Sequence, residues 1–172
     1  HPSFDEAIKK ILIKDKKAKI IFIKDRKEIL SKMFFDRLKK KIPENLDRIS
    51  FIDRLTPEEF IHHCGRASVL LDPFWFGSGN TFHESMLYGT PTVTMPTKYL
   101  KSRIVTGAYK QMQIEDPPIF NNVDDYVDKS IELANQKNID LKIHYKEQAE
   151  KYLFENPNAI SDLGNIFKSL VN

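Results

Sequence analysis

The chain has 172 residues, 41% hydrophobic and 30% charged, a composition that suits one soluble globular domain with a core of its own. No apolar run approaches the roughly 18 residues of a membrane span. No signal peptide opens the chain, and the single cysteine, Cys64, excludes an internal disulfide framework and fits a reducing, cytoplasmic setting.

The net charge is only +3, but residues 1–48 carry 15 Lys and Arg against 8 Asp and Glu, so the rest of the chain is acidic. The lysines interleave with Asp and Glu and with apolar residues at helical spacing (Ile8, Ile11, Leu12; Ile29, Leu30, Met33, Phe34), as solvated helix faces do. No RNA-binding aromatic motif or zinc spacing accompanies them, so a nucleic-acid partner is not expected. The first residues are His1-Pro2, with no Met, and the expectation is a piece of a longer protein.

Ser3-Phe4-Asp5-Glu6 has the form of a capping box and predicts a helix up to Leu12. "AKIIFI", Ala18 to Ile23, predicts a strand buried inside a parallel sheet. A helix over Arg26 to Lys41 stops before Pro43, and "RISFI", Arg48 to Ile52, is a second strand. Thr56-Pro57-Glu58-Glu59 joins a capping box to proline at the first helical position, a clear start for a helix through Arg66. "SVLLD" is the third strand, near 69–72; a helix follows, stopped by Gly89; "TVTM", 92–95, is the fourth strand. After Pro118 comes a weak strand at Ile119-Phe120, then helical patterns over 123–136, 139–154 and 159–171. Alternating strands and helices with short connections predict a Rossmann-like α/β fold, a parallel sheet flanked by helices with a helical tail.

The stretch "LDPFWFGSGNTFHESMLYGTPTVTMP", Leu71 to Pro96, carries the chemistry. In open α/β sheets, ligands bind beyond the carboxyl ends of strands, where loops turn into helices with free N–H groups. Here Pro73 to Ser78 form such a loop, Gly77 and Gly79 let a backbone approach a phosphate, and Asn80 and Thr81 add side-chain donors. A diphosphate suits this stretch. The dinucleotide fingerprint does not apply, because Phe82 stands where its third glycine belongs, and no Gly-Lys-Ser/Thr makes a P-loop. Thr81-Phe82-His83-Glu84 is also a capping-box pattern, so the carboxylate of Glu84 has a duller use available. Adjacent His62 and His63 diverge on a helix, and no Asp, Glu or Cys completes a ligand set beside them, so no metal is expected.

The same stretch, with "LKSRIVTGAYKQM" after it, resembles the carboxyl-terminal half of the catalytic region of O-linked N-acetylglucosamine transferases and their bacterial, often tetratricopeptide-linked relatives, the SPINDLY-like family. The resemblance is strong from Phe51 to Met112 and co-linear from His1. It implies the GT-B fold, two Rossmann-like halves with a nucleotide-sugar between them, of which this chain is the donor-binding second half. Its partners would then be a UDP-sugar, the missing amino-terminal half, and an acceptor, a protein among the candidates. By position, the family's helix-start motif falls on Gly79-Asn80-Thr81, beside Gly77 and Ser78, and touches the diphosphate; its ribose-binding acid falls on Glu84. The uracil-contacting segment falls on Leu55 to His63, with the backbone at Leu55, the ring of Phe60 and His63 as candidates, and Arg103 matches a family arginine. The sequence departs from the family at Phe60, often histidine, and at Gly79, histidine in the animal enzymes. The family's phosphate-binding lysine falls just before His1. No catalytic residue is assigned. Two alternatives stay open: a non-catalytic Rossmann-like binding or assembly module, and a GT-B epimerase or retaining transferase.

Overall fold

Short apolar runs form parallel strands here, and prolines limit their length. The computed structural model describes residues 1–171. In it, β1 (Ile20–Ile23) and β2 (Ile49–Ile52) pair in parallel, Ile20 opposite Ile49 and Ile23 opposite Ile52. β3 (Leu70–Leu71) and β4 (Thr92–Val93) make a second parallel pair, extended by a parallel bridge from Thr94 to Ile119. The four expected strands are therefore present and parallel, but they form two two-stranded pieces instead of one continuous ladder. Pro73 closes β3, Pro91 and Pro96 bracket β4, and Pro118 precedes the bridge, so ladder donors are missing on every side.

One strand is less buried than its sequence predicts. Ile20 is in the core and Phe22 meets the rings of Phe34 and Phe51 at 4.8 and 5.3 Å, but Ile21 and Ile23 are 52% and 37% exposed. Only the face carrying Ile20 and Phe22 is covered.

That covered face belongs to the larger core, where α1 (Phe4–Lys14), α2 (Glu28–Lys41) and α6 (Val123–Asn135) bring Ile8, Leu12, Leu38, Tyr126 and Val127 against the strands. The basic face of α1 lies against the acidic face of α6, with Lys10 2.8 Å from Asp124 and Lys14 2.6 Å from Asp128. The charge imbalance along the sequence is thus partly cancelled in space. Asp5, fully buried, receives a two-pronged bond from Arg37 of α2, at 2.8 and 3.0 Å. The capping box expected at Ser3 does not form: Ser3 is itself helical (φ −66°, ψ −24°), and its hydroxyl is bonded by the indole N–H of Trp75 at 2.9 Å and by the His1 ring. The box at the start of α3 (Pro57–Arg66) does form, with Glu59 N–H on the Thr56 hydroxyl and Thr56 N–H on the Glu59 carboxylate.

A second core joins α4 (Asn80–Met86), α5 (Ile104–Gln111) and α7 (Ile139–Gln148) with the π-helical turn Ala149–Leu153 through Phe82, Met86, Val105, Tyr109, Met112 and Tyr145. The buried Tyr109 hydroxyl accepts from Thr92 N–H at 2.8 Å and donates to Thr92 C=O at 3.0 Å, bonding β4 as a neighbouring strand would. Gly89 ends the chain's run from α4 with φ +62°, and a Cβ there would lie 1.8 Å from the Lys142 carbonyl oxygen, so only glycine fits. Lys142 in turn donates to the carbonyls of Gly65 and Ala67, tying α7 to the end of α3. The last helix, α8 (Pro157–Val171), leaves Ile160, Leu163, Ile166, Phe167 and Leu170 exposed. Among the described residues, no helix is long and apolar enough to cross a membrane.

Candidate functional site

The loop between β3 and α4 is held from beneath by Asp72. Its carboxylate, 1% exposed, accepts the Ser78 N–H on one oxygen and the Thr94 hydroxyl, at 2.6 Å, on the other. Burial pushes its pKa above the usual carboxylate range, and the bonds from Thr94 and Ser78 oppose that push. Its own N–H bonds Val93 C=O at 2.9 Å, and its C=O accepts the buried Tyr126 hydroxyl at 3.2 Å. On the other side of the loop, Gly77 N–H donates to Lys101 C=O at 2.9 Å. Phe74 anchors the loop in the larger core, edge-on to Phe4 and Tyr126, each at 5.2 Å, while Trp75 and Phe76 point outward.

Beyond this anchored portion the polar groups have no partners. The N–H groups of Gly79, Asn80 and Thr81 donate to no acceptor among the described residues, and neither the Asn80 nor the Thr81 side chain makes a hydrogen bond there. By contrast, the Gly79 carbonyl is taken by Phe82 N–H, His83 N–H and the His83 ring, which gives that histidine a packing role. The carboxylate of Glu84, half-buried one turn further along α4, has no hydrogen bond or ion pair among the described residues. The capping use of Glu84 fails, because α4 begins at Asn80 with Gly79 as its cap and no side chain caps it. This places Glu84 in the body of the helix, past the position from which a carboxylate reaches back to the cap.

The other residues singled out by sequence lie around this turn. α3 packs on α4, and the Glu84 charge adds to burial in pushing the Cys64 thiol up to about 11. Leu55, in the loop after β2, and Phe60 and His63, on α3, are all half-buried. His62 bonds the Tyr88 hydroxyl at 2.7 Å, and no three metal-ligating side chains gather among the described residues. Arg103 is exposed at the start of α5, whose Ile104 side chain comes within 3.8 Å of the Cβ position of Gly79. Lys98 and Lys101 sit over Tyr99 and Phe76 at 5.4 and 5.8 Å, and none of these three cations has a carboxylate in ion-pair range among the described residues. Sequence reasoning used Asp72 only to mark the end of a strand. A charged residue closing an apolar run, five positions before Gly77, was the available signal.

The turn is an open surface. Depressions of about 190 and 370 Å³ lie elsewhere, one between Arg66 and Lys142 and the other between Asp116 and Glu132, and neither touches the turn.

No protein family and no curated protein matches the chain by sequence. Among solved structures, a mutant of the O-GlcNAc transferase of Thermobaculum terrenum is similar over 98% of this chain, with a TM-score of 0.83 and 15% sequence identity. The chain covers 33% of that protein's length. At this identity the likeness establishes fold: the chain has the α/β architecture of part of a glycosyltransferase, small parallel sheets flanked by helices with a helical carboxyl-terminal end.

Proposed function

We propose that the chain is the donor-binding part of a glycosyltransferase that moves a sugar, N-acetylglucosamine or glucose, from a uridine diphosphate carrier to an acceptor hydroxyl or amide, on a protein among other candidates. The observation that carries this is the run of three unpaired N–H groups at Gly79, Asn80 and Thr81, after a loop bonded from below by Asp72, followed one helical turn later by the unpaired Glu84 carboxylate. In this reading the amides, the Asn80 and Thr81 side chains and Arg103 receive the diphosphate. Glu84, on the same helix face as Asn80, accepts from the two ribose hydroxyls. Leu55, Phe60 and His63 receive the uracil, and Gly77 and Ser78 shape the turn. Acceleration comes from positioning and from stabilising the departing diphosphate by fixed donors, so no metal is required. The acceptor and the base that activates it belong to the partner half, and this chain alone binds donor but turns it over slowly.

Saturation-transfer NMR against a panel of nucleotide-sugars, with calorimetry in EDTA, tests the proposal. UDP and at least one UDP-sugar should bind without added metal. No UDP binding, or binding only with manganese or magnesium, would contradict it.

A further inference from the structure

Free amides are useful only if something aims them, and the Asp72 carboxylate reaches both loops at this edge of the sheet. One oxygen holds Ser78 N–H in the loop after β3; the other holds the Thr94 hydroxyl at the end of β4. Gly77 is its complement, since a Cβ there would sit 3.0 Å from both carboxylate oxygens, tighter than an ordinary contact, so any side chain at 77 would press on the carboxylate that holds the loop. The Gly77 N–H then holds Lys101 C=O, in the segment that leads to Arg103. One buried side chain thus sets the register of the glycine turn and of the loop carrying the cation.

We propose that Asp72 is the positioning residue of this anion site, locking the Gly77–Thr81 turn to the end of β4 so that the free amides stand beside Arg103; this rests on the nucleotide-sugar reading above. The role is geometric. A hydroxyl both donates and accepts, so asparagine at 72 can keep its oxygen on Ser78 N–H and donate its amide to the Thr94 oxygen. Alanine can do neither, and the Ser78 N–H is then released.

The test uses the full 172-residue chain with two readouts, hydrogen exchange at the Gly77 and Ser78 amides without ligand and UDP affinity by calorimetry. For Asp72→Ala, exchange at Ser78 should accelerate, and UDP affinity should fall, each by about tenfold or more. For Asp72→Asn both should stay within about threefold of wild type. A folded Asp72→Ala chain with unchanged exchange and affinity overturns the proposal, as does Asp72→Asn proving as damaging as alanine. Should alanine at 72 prevent folding, Thr94→Val decides: it removes one anchor and should weaken UDP binding with the near-UV spectrum unchanged, and unaltered affinity overturns the proposal. If wild type binds no UDP, the nucleotide reading falls, while exchange at Ser78 in the variants still decides whether Asp72 holds the turn.

Discussion

Polar groups meet opposite fates in two regions of this molecule. Where α1 packs on α2 and α6, charges find partners: Asp5 with Arg37, Lys10 with Asp124, Lys14 with Asp128. In the turn after β3, the N–H groups of Gly79, Asn80 and Thr81 and the Glu84 carboxylate find none among the described residues. An unpaired polar group is costly only when sealed from water, and the Asn80–Glu84 groups are half-buried or exposed, so leaving them open costs little. The one sealed charge of the first region, Asp5, has its partner and carries structure; the open groups on the anchored loop are, in the proposed reading, left for a ligand. Mutations should therefore separate stability from binding along this division.

The largest effect should come from Arg37→Met, which leaves the fully buried Asp5 with only Lys41, 3.5 Å away. Breaking a buried pair costs about 3–5 kcal/mol, and the remaining lysine should reduce this to roughly 2–3 kcal/mol by urea denaturation, with UDP affinity unchanged. Loss of UDP binding in the folded variant would blur the division. A smaller effect concerns Cys64, whose thiol is raised to about 11 from an ordinary 9.0 by burial and then by Glu84. The folded state holds this proton longer than the unfolded one, so the stabilising contribution is complete below pH 9 and is lost as pH rises through 11. The native thiol should resist iodoacetamide at pH 8 and react on unfolding. Glu84→Gln should quicken the native reaction at alkaline pH, and an unchanged rate would move Glu84 away from Cys64. The smallest effect is expected from the double change Lys10→Met and Lys14→Met. Exposed pairs contribute little, so the melting temperature should stay within measurement scatter at physiological salt, and a large drop would show the α1–α6 contact to be electrostatic.

What the sequence made legible follows from how far each residue's partners lie along the chain. The box at Thr56 was readable because every group in it lies within three residues. The same pattern at Ser3 failed because Trp75, 72 positions away, takes the serine hydroxyl. At Thr81 the pattern failed for a local reason, since α4 starts two residues earlier than a cap at Thr81 would set it. The parallel strands near 20, 50, 70 and 92 were visible in their short apolar runs, but the open face of β1 was not, because no local pattern tells which face of a strand is covered. Within the site, the glycines and Glu84 stood out by type and spacing. Asp72 did not, since its partners Thr94 and Tyr126 lie 22 and 54 residues away.

The central claim is that Glu84 is kept open for a ribose, and calorimetry of UDP against wild type and Glu84→Gln tests it most directly. A glutamine offers one accepting oxygen and no charge, and hydrogen bonds to charged groups are worth roughly 1.5–3 kcal/mol, so affinity should fall about tenfold or more with little change in melting temperature. A 2′,3′-dideoxy nucleotide, lacking the hydroxyls, should bind wild type weakly and the variant no worse. Equal affinity of wild type and Glu84→Gln for UDP would contradict the account and remove Glu84 from the site.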